Sequence, residues 1–172
     1  MKIKLIAAVS IDGAIGKNKK LLWHIPEDLN FYKNYTLNKY CIIGKNTYNS
    51  LPPAAKRNRI YLVVGTKDIS MCNEWLPECH IGFKDHYEAI NYLIQAEIEE
   101  CIVVGGAKLY KSIIHLVDQC DITWVNKIYN DADALFPINE LFNRFEVIKD
   151  TEWIKNENSP SYKFTTYKKI NI

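Results

Sequence analysis

The apolar positions of this chain gather into short, nearly unbroken runs, separated by segments with helical spacing. Ile3 to Val9 is interrupted only by Lys4. A run with so little alternation suits a strand covered on both faces, as in the middle of a parallel sheet. Tyr40 to Gly44, Arg59 to Val64 and Cys101 to Val104 repeat the pattern. A shorter strand is expected near His80 to Phe83, and Asp121 to Val125 is rich in β-branched and aromatic residues. Pro26 fits the first position of a helix, where its missing N–H costs nothing. Lys45 to Leu51 predicts a short helix, stopped by Pro52 and Pro53. Tyr87, Ile90, Leu93 and Ile94 recur at helical spacing and predict an amphipathic helix from Asp85 to about Ile98. Lys108 to Ile114 is helical in pattern.

Asp12 to Lys20 and Asp131 to Pro137 read as loops, and Met71 to Pro77 as irregular. Phe145 to Ile148 and Tyr162 to Tyr167 alternate, predicting antiparallel edge strands joined through a turn at Asn156 to Ser161. Strands alternating with helices, followed by a strand pair, predict one α/β domain over residues 1–172. The expected architecture is a sandwich around a central, mostly parallel eight-stranded sheet flanked by helices, antiparallel at its C-terminal edge. Repeats, low-complexity tracts and linkers are absent from the sequence.

Composition changes this picture little. The 172 residues are 48% hydrophobic and 24% charged, ordinary for a globular protein long enough to bury a core without staples. A net charge of +2 and the lack of a basic cluster with interleaved aromatics argue against nucleic acid. No apolar run is long enough to span a bilayer, and the run at the N-terminus stops too early for a signal peptide. The five cysteines are odd in number and lack metal-ligand spacing, so no metal is expected. Cys41, Cys101 and Cys120 lie in apolar runs and read as small buried hydrophobes, which implies a reducing compartment, the cytoplasm.

Three features carry candidate chemistry. Glu27 and Asp28 fall in the first turn of the Pro26 helix, where the dipole favours negative charge. Asp28 shares a face with Tyr32, four residues on, and Leu29 lies beside them. Taken alone, this segment favours a plain first-turn charge over a carboxylate set in an apolar pocket. Free backbone N–H groups at Lys45 to Thr47 follow a strand and a glycine, as in an anion site or an ordinary strand-to-helix turn. Gly105 and Gly106 between a buried strand and a helix would let backbone approach a bound group closely, although the dinucleotide fingerprint of three glycines is not met.

In this order the pieces resemble dihydrofolate reductase, nearly end to end. The resemblance rests on Leu5 to Ala8, Ile15–Gly16, Leu22 to Leu29, Thr36 to Lys39, Gly44 to Leu51, Arg57, Val104 to Ala107, Thr123 and the turn from Asp133 to Pro137. It implies reduction of 7,8-dihydrofolate to tetrahydrofolate, with hydride passing to C6 and a proton to N5. Asp28 would hold the pterin's 2-amino group and N3, oriented by Thr123, with Trp23 holding a water and Leu21 in the loop that closes over the nicotinamide. The slot would be lined by Ile6, Ala7, Ala8, Leu29, Tyr32, Leu51, Val104 and Tyr110. Arg57 would take the α-carboxylate of the glutamyl tail, helped by Lys33.

The resemblance implies NADPH as cofactor, with NADH a weaker donor. Its contacts would come from Ala8, Ile15, Gly16 and Leu21, from Gly44, Lys45, Asn46 and Thr47, and from Leu62 and Val63. Val104, Gly105, Gly106, Ala107, Lys108 and Leu109 would complete them. Lys45 stands where the family often has Arg, and the 2′-phosphate contact after the third strand shifts to Thr66 or Lys67. The stretch before Arg57 is shorter by about a residue, and Tyr32 replaces a common Phe. The expected partner is the small-molecule substrate, with no nucleic acid or membrane, and the expected state a monomer. Rival readings are a reductase of the same fold acting on another pterin or pyrimidine, or an inactive nucleotide-binding module.

Overall fold

The structure, a computed structural model, describes residues 1–65 and 79–170. In chain order, β1 is Lys2–Ser10, β2 Ala14–Gly16, α1 Pro26–Thr36, β3 Tyr40–Gly44, α2 Lys45–Ser50 and α3 Pro53–Lys56. Next come β4 (Ile60–Val64), β5 (Cys79–Phe83), α4 (His86–Gln95), β6 (Glu100–Gly105) and α5 (Ala107–Ile113). A tight helical turn at Ile114–Leu116 leads to β7 (Gln119–Val125), β8 (Ala134–Leu135), α6 (Ile138–Arg144), β9 (Phe145–Asp150) and β10 (Tyr162–Lys169).

Eight strands form one sheet in the order β5-β4-β3-β6-β1-β7-β10-β9. The strands from β5 to β7 run parallel, and β10 is antiparallel to both its neighbours. This is the expected α/β architecture. The position of β1 between β6 and β7 accounts for its unbroken apolar run, since Leu5 and Val9 keep no exposed surface.

Alternation along each strand divides the core into two layers. Leu5, Ile42, Leu62 and Val103 face the layer that includes Leu93 of α4 and Ile113 of α5. Ile6, Ile43, Val63 and Val104 face the opposite layer, covered by Phe31, Tyr32 and Tyr35 of α1 and Tyr48 of α2. Among the described residues no helix is long and apolar enough to cross a membrane.

Several expectations need correction. β10 is interior, lying between β7 and β9; of this pair β9 alone lies at an edge, with Val147 and Ile148 exposed. Two segments read as loops contribute short strands, β2 and β8, which pair with each other. Their local sequence is turn-like; the pairing depends on long-range bonds such as Phe136 N–H to Gly13 O at 2.8 Å. Pro53 opens a short helix, α3, at a first-turn position as well as ending the previous one. A helix that the apolar pattern does not predict, α6, lies between Pro137 and Phe145. α4 ends at Gln95, before Ile98, because Glu97 turns to positive φ. The expected irregular stretch Met71 to Pro77 lies outside the described residues.

Candidate active site

The site is built at the carboxyl ends of β1, β3 and β6, where open parallel sheets place their ligands. The ladder between β3 and β6 shifts there: Ile42 pairs with Val103 and Ile43 with Gly105, so Val104 bulges out of register. α1 crosses the sheet face that Val104 belongs to. It starts without a side-chain cap, with Pro26 in its first turn and Glu27 and Asp28 following.

Asp28 is partly buried, and loss of solvent raises its carboxyl pKa above the ordinary value. The nearby Thr123 hydroxyl acts in the opposite direction. Thr123 itself is fully buried on β7, and its Oγ1 makes no hydrogen bond of normal geometry among the described residues. The two groups therefore sense each other through the hydroxyl dipole, short of a formed bond. Ala8 pairs with Thr123 across the β1–β7 ladder and packs in a cluster with Trp23, Ile25 and Tyr162. The buried Trp23 Nε1 also has no partner among the described residues, while its ring tilts against Tyr129 at 5.6 Å between centroids. A carboxylate, a hydroxyl and an indole N–H with unspent hydrogen-bonding capacity beside an apolar floor make a receptor for a flat, multi-donor heterocycle.

The second half of the site is two abutting turns. Gly44 and Gly106 precede α2 and α5, and neither helix start is capped by a side chain. The Gly105–Gly106 peptide is cis, and Gly105 has φ +110°. A Cβ on Gly106 would lie 2.7 Å from Thr47 Oγ1, and one on Gly105 would lie 2.9 Å from the Tyr110 hydroxyl. At Gly105 the positive φ and the Tyr110 ring together call for glycine, and at Gly106 a side chain would have to displace the Thr47 hydroxyl. The result is a cradle of backbone open to an elongated anionic molecule, with Lys45, Asn46 and Lys108 exposed at its rim.

The structure brings Ile6, Tyr32, Leu51 and Val104 into one apolar cluster, together with Phe31 and Tyr61. Val63 joins that cluster. Ala7, Leu62, Leu109 and Tyr110 place their side chains in the opposite layer. The period-two alternation sends Ala7 and Leu62 away from Ile6 and Val63, leaving their backbone alone on this side. Tyr110 spends its hydroxyl on the Ile6 carbonyl at 2.7 Å, beneath the slot. Ile15 packs against the main core and Gly16 is buried. Leu21 and Leu29 are exposed at the lip, as are Lys33 and Arg57. Thr66 and Lys67 lie outside the described residues. A separate cleft outside Trp23, between His24, Tyr129 and the 156–160 turn, reaches neither Asp28 nor the glycine cradle.

Sequence reading missed two buried polar centres. Asp121 accepts from Tyr35 at 2.5 Å, Gln119 at 2.8 Å and Thr166 at 2.7 Å, fastening α1 to β7 and β10. Arg59, read only as the start of a strand, is buried beneath α1. A charge opening a predicted buried strand was the available signal. Cys41, Cys101 and Cys120 are buried and unpaired, and burial pushes the thiols of Cys41 and Cys101 up to about 12, so neither is a nucleophile at neutral pH. Among the described residues no three His, Cys, Asp or Glu are grouped to hold a metal ion.

Comparison with known proteins bears directly on this geometry. The family model described as dihydrofolate reductase matches residues 2–169. A dihydrofolate reductase of Buchnera aphidicola is 30% identical over 95% of this chain and 97% of its own. One from Neisseria meningitidis is 31% identical over 97% of this chain and 98% of its own. A type 15 dihydrofolate reductase of Escherichia coli is 30% identical over 92% and 94% respectively. With the family match running from the first strand through the last, and relatives aligned along nearly their whole lengths, the chain belongs to the dihydrofolate reductase family.

Proposed function

We propose that the slot beneath α1 holds the pterin of 7,8-dihydrofolate on Asp28, with NADPH along the glycine cradle. Reduction of dihydrofolate to tetrahydrofolate is the activity of this family. The observation that carries the assignment is Asp28 itself: a desolvated carboxylate beside the unpartnered Thr123 hydroxyl, next to an apolar floor.

Asp28 accepts hydrogen bonds from the 2-amino group and N3 of the pterin, a charge-assisted pair strengthened by low dielectric. Thr123 fixes the carboxylate's orientation. Ile6, Val104, Tyr32 and Leu51 form the walls, and Leu29 closes over the ring from the lip. Asp28 favours the protonated form of the ring, and a water held by Trp23 Nε1 delivers the proton to N5. Arg57 pairs with the α-carboxylate of the glutamyl tail, and Lys33 adds positive charge beside it.

The cradle fits a reduced nicotinamide dinucleotide: Gly105 and Gly106, where a Cβ would strike Tyr110 and Thr47, keep the backbone bare beside two helix starts that no side chain caps. When bound, NADPH supplies the hydride that C6 receives. Gly44, Asn46, Thr47 and Ala107 would offer backbone and side-chain donors to its phosphates, and Lys45 would supply the charge for the 2′-phosphate. Ile15, Gly16 and Leu21 belong to the segment that shuts out water. The buried unpaired cysteines support a reducing compartment, the cytoplasm.

The test is to follow oxidation of NADPH, and separately NADH, by absorbance as dihydrofolate is added. Dihydrofolate-dependent oxidation, faster with NADPH, is expected. Oxidation with neither nicotinamide would remove the assignment, and a clear preference for another pterin or a pyrimidine would change its substrate.

A further inference from the structure

Two side chains from the start of β4 bind the segments that flank the tail end of the slot. Arg59 is 5% exposed. Its Nε donates to Thr36 Oγ1 at 2.7 Å, one terminal nitrogen to Arg57 O at 2.8 Å and the other to Lys33 O at 2.8 Å. Among the described residues no carboxylate pairs with it. Burying a cation against neutral acceptors alone is costly, so the geometry of those acceptors matters. Lys33 and Thr36 lie in the last turn of α1, at the negative end of the helix dipole. Arg57 lies at the end of α3. One rigid fork therefore fixes the C-terminal turn of α1 relative to the backbone of Arg57.

Tyr61 is two residues further along the strand, on the same face. Its hydroxyl donates to Ala55 O at 2.9 Å and lies 3.4 Å from the Tyr32 hydroxyl. Tyr61 thus repeats the arrangement one step deeper: α3 on one side, α1 on the other. The Asn38 N–H bonds the Asn58 carbonyl at 2.7 Å and completes the tie.

We infer that Arg59 and Tyr61 are positioning residues that set where the exposed Arg57 guanidinium meets the carboxylate of the substrate's tail. The inference rests on the reading of Arg57 given above. Its chemistry is specific: the fork holds backbone on both sides of the tail path, and toward the slot it meets Tyr32, whose ring centroid lies 6.0 Å from the Arg59 guanidinium. A lysine cannot reproduce it, because a point charge reaches fewer of the three acceptors at once.

The experiment measures KM and kcat for dihydrofolate, and for a dihydropterin bearing a methyl group in place of the whole aminobenzoyl-glutamate tail. Arg59→Met is expected to raise KM for dihydrofolate about tenfold relative to the tail-less pterin, the effect of misaligning one charge-assisted pair. Arg59→Lys and Tyr61→Phe are expected to move the same ratio by about threefold. A purely structural role would shift both substrates together. Should Arg59→Met fail to fold, the ratio is read in the two milder variants. Equal effects on both substrates, or none, in every folded variant would overturn the inference. Arg57→Ala measured alongside separates the two levels. If it is selective for dihydrofolate while the β4 variants are not, the positioning role alone fails. If it weakens both substrates equally, the reading of Arg57 fails and the positioning role with it.

Discussion

The hydroxyl of Tyr110 donates to the carbonyl of Ile6 at 2.7 Å. The β1–β6 ladder stops at Leu5 and Val103, and this bond takes over one residue beyond, tying α5 to the strand beneath the slot. Burial holds the phenol far above its ordinary pKa, and the charge of Asp28 adds to the effect, so Tyr110 remains a neutral donor. Tyr110→Phe is expected to cost about 1–3 kcal/mol, because the carbonyl beneath it loses its partner. A denaturant midpoint measures the cost. kcat/KM for dihydrofolate should fall as well, since Val104 and the glycine pair lose their brace.

Asp28→Asn separates function from stability. The amide keeps the size of the carboxyl but offers no charge to the pterin and cannot accept at both positions. Turnover should fall by about two to four orders of magnitude, the usual scale for a removed acid–base partner, while NADPH binding measured by fluorescence is retained. Stability should change in the opposite direction. Burial raises the Asp28 pKa above 3.8, so the folded chain holds that proton more tightly than the unfolded one. Between 3.8 and the raised folded value, stability falls as pH rises; above that window the buried charge is a constant cost. Asp28→Asn should therefore stabilise the unliganded protein at neutral pH by about 1 kcal/mol, with the gain disappearing at about pH 3. A variant less stable than wild type at neutral pH would show that Asp28 is not the strained group.

Much of this was legible in the chain, for identifiable reasons. Ile3 to Val9 announced a central strand because a strand covered on both faces cannot alternate. Pro26 announced the start of α1 because its ring fits few other places. Asp28 was ambiguous locally and became specific only beside Trp23, Thr123 and the double glycine. What stayed hidden depends on distant partners. β2 and β8 are three and two residues long and exist because each pairs with the other. Asp121 looked like the polar start of a strand until Tyr35, Gln119 and Thr166 closed around it. The resemblance places Ala7 in the slot and Leu62 against the cofactor, and alternation turns both side chains into the other layer.

The two adjacent glycines should fail in different ways. Alanine at Gly105 meets the Tyr110 hydroxyl at 2.9 Å and must adopt φ +110°, so both its space and its backbone are wrong. Gly105→Ala is expected to destabilise the fold by more than about 2 kcal/mol, read from thermal unfolding. Alanine at Gly106 meets only Thr47 Oγ1, at 2.7 Å, and that hydroxyl can rotate away. Gly106→Ala should keep most of its stability and instead raise the NADPH Kd, since both residues border the cradle. Equal stability losses in the two variants would show that the contact with Thr47 is as rigid as the one with Tyr110.

Lys45 is exposed at the first position of α2, directly after Gly44. Its ammonium is a compact charge on a flexible stem, without the fork that would grip a phosphate in two places. Such a charge distinguishes NADPH from NADH by Coulomb attraction to the 2′-phosphate, the only group the two cofactors do not share. Lys45→Ala should therefore raise the NADPH KM about tenfold while changing the NADH KM less than about twofold. Because the ammonium is in water, the discrimination should also weaken with salt, in wild type but not in the variant. Lys45→Arg should sharpen it by supplying two aligned donors. Steady-state rates with each nicotinamide at low and high ionic strength decide the matter: parallel rises in both KM values, or a preference indifferent to salt, would mean that the 2′-phosphate is recognised elsewhere.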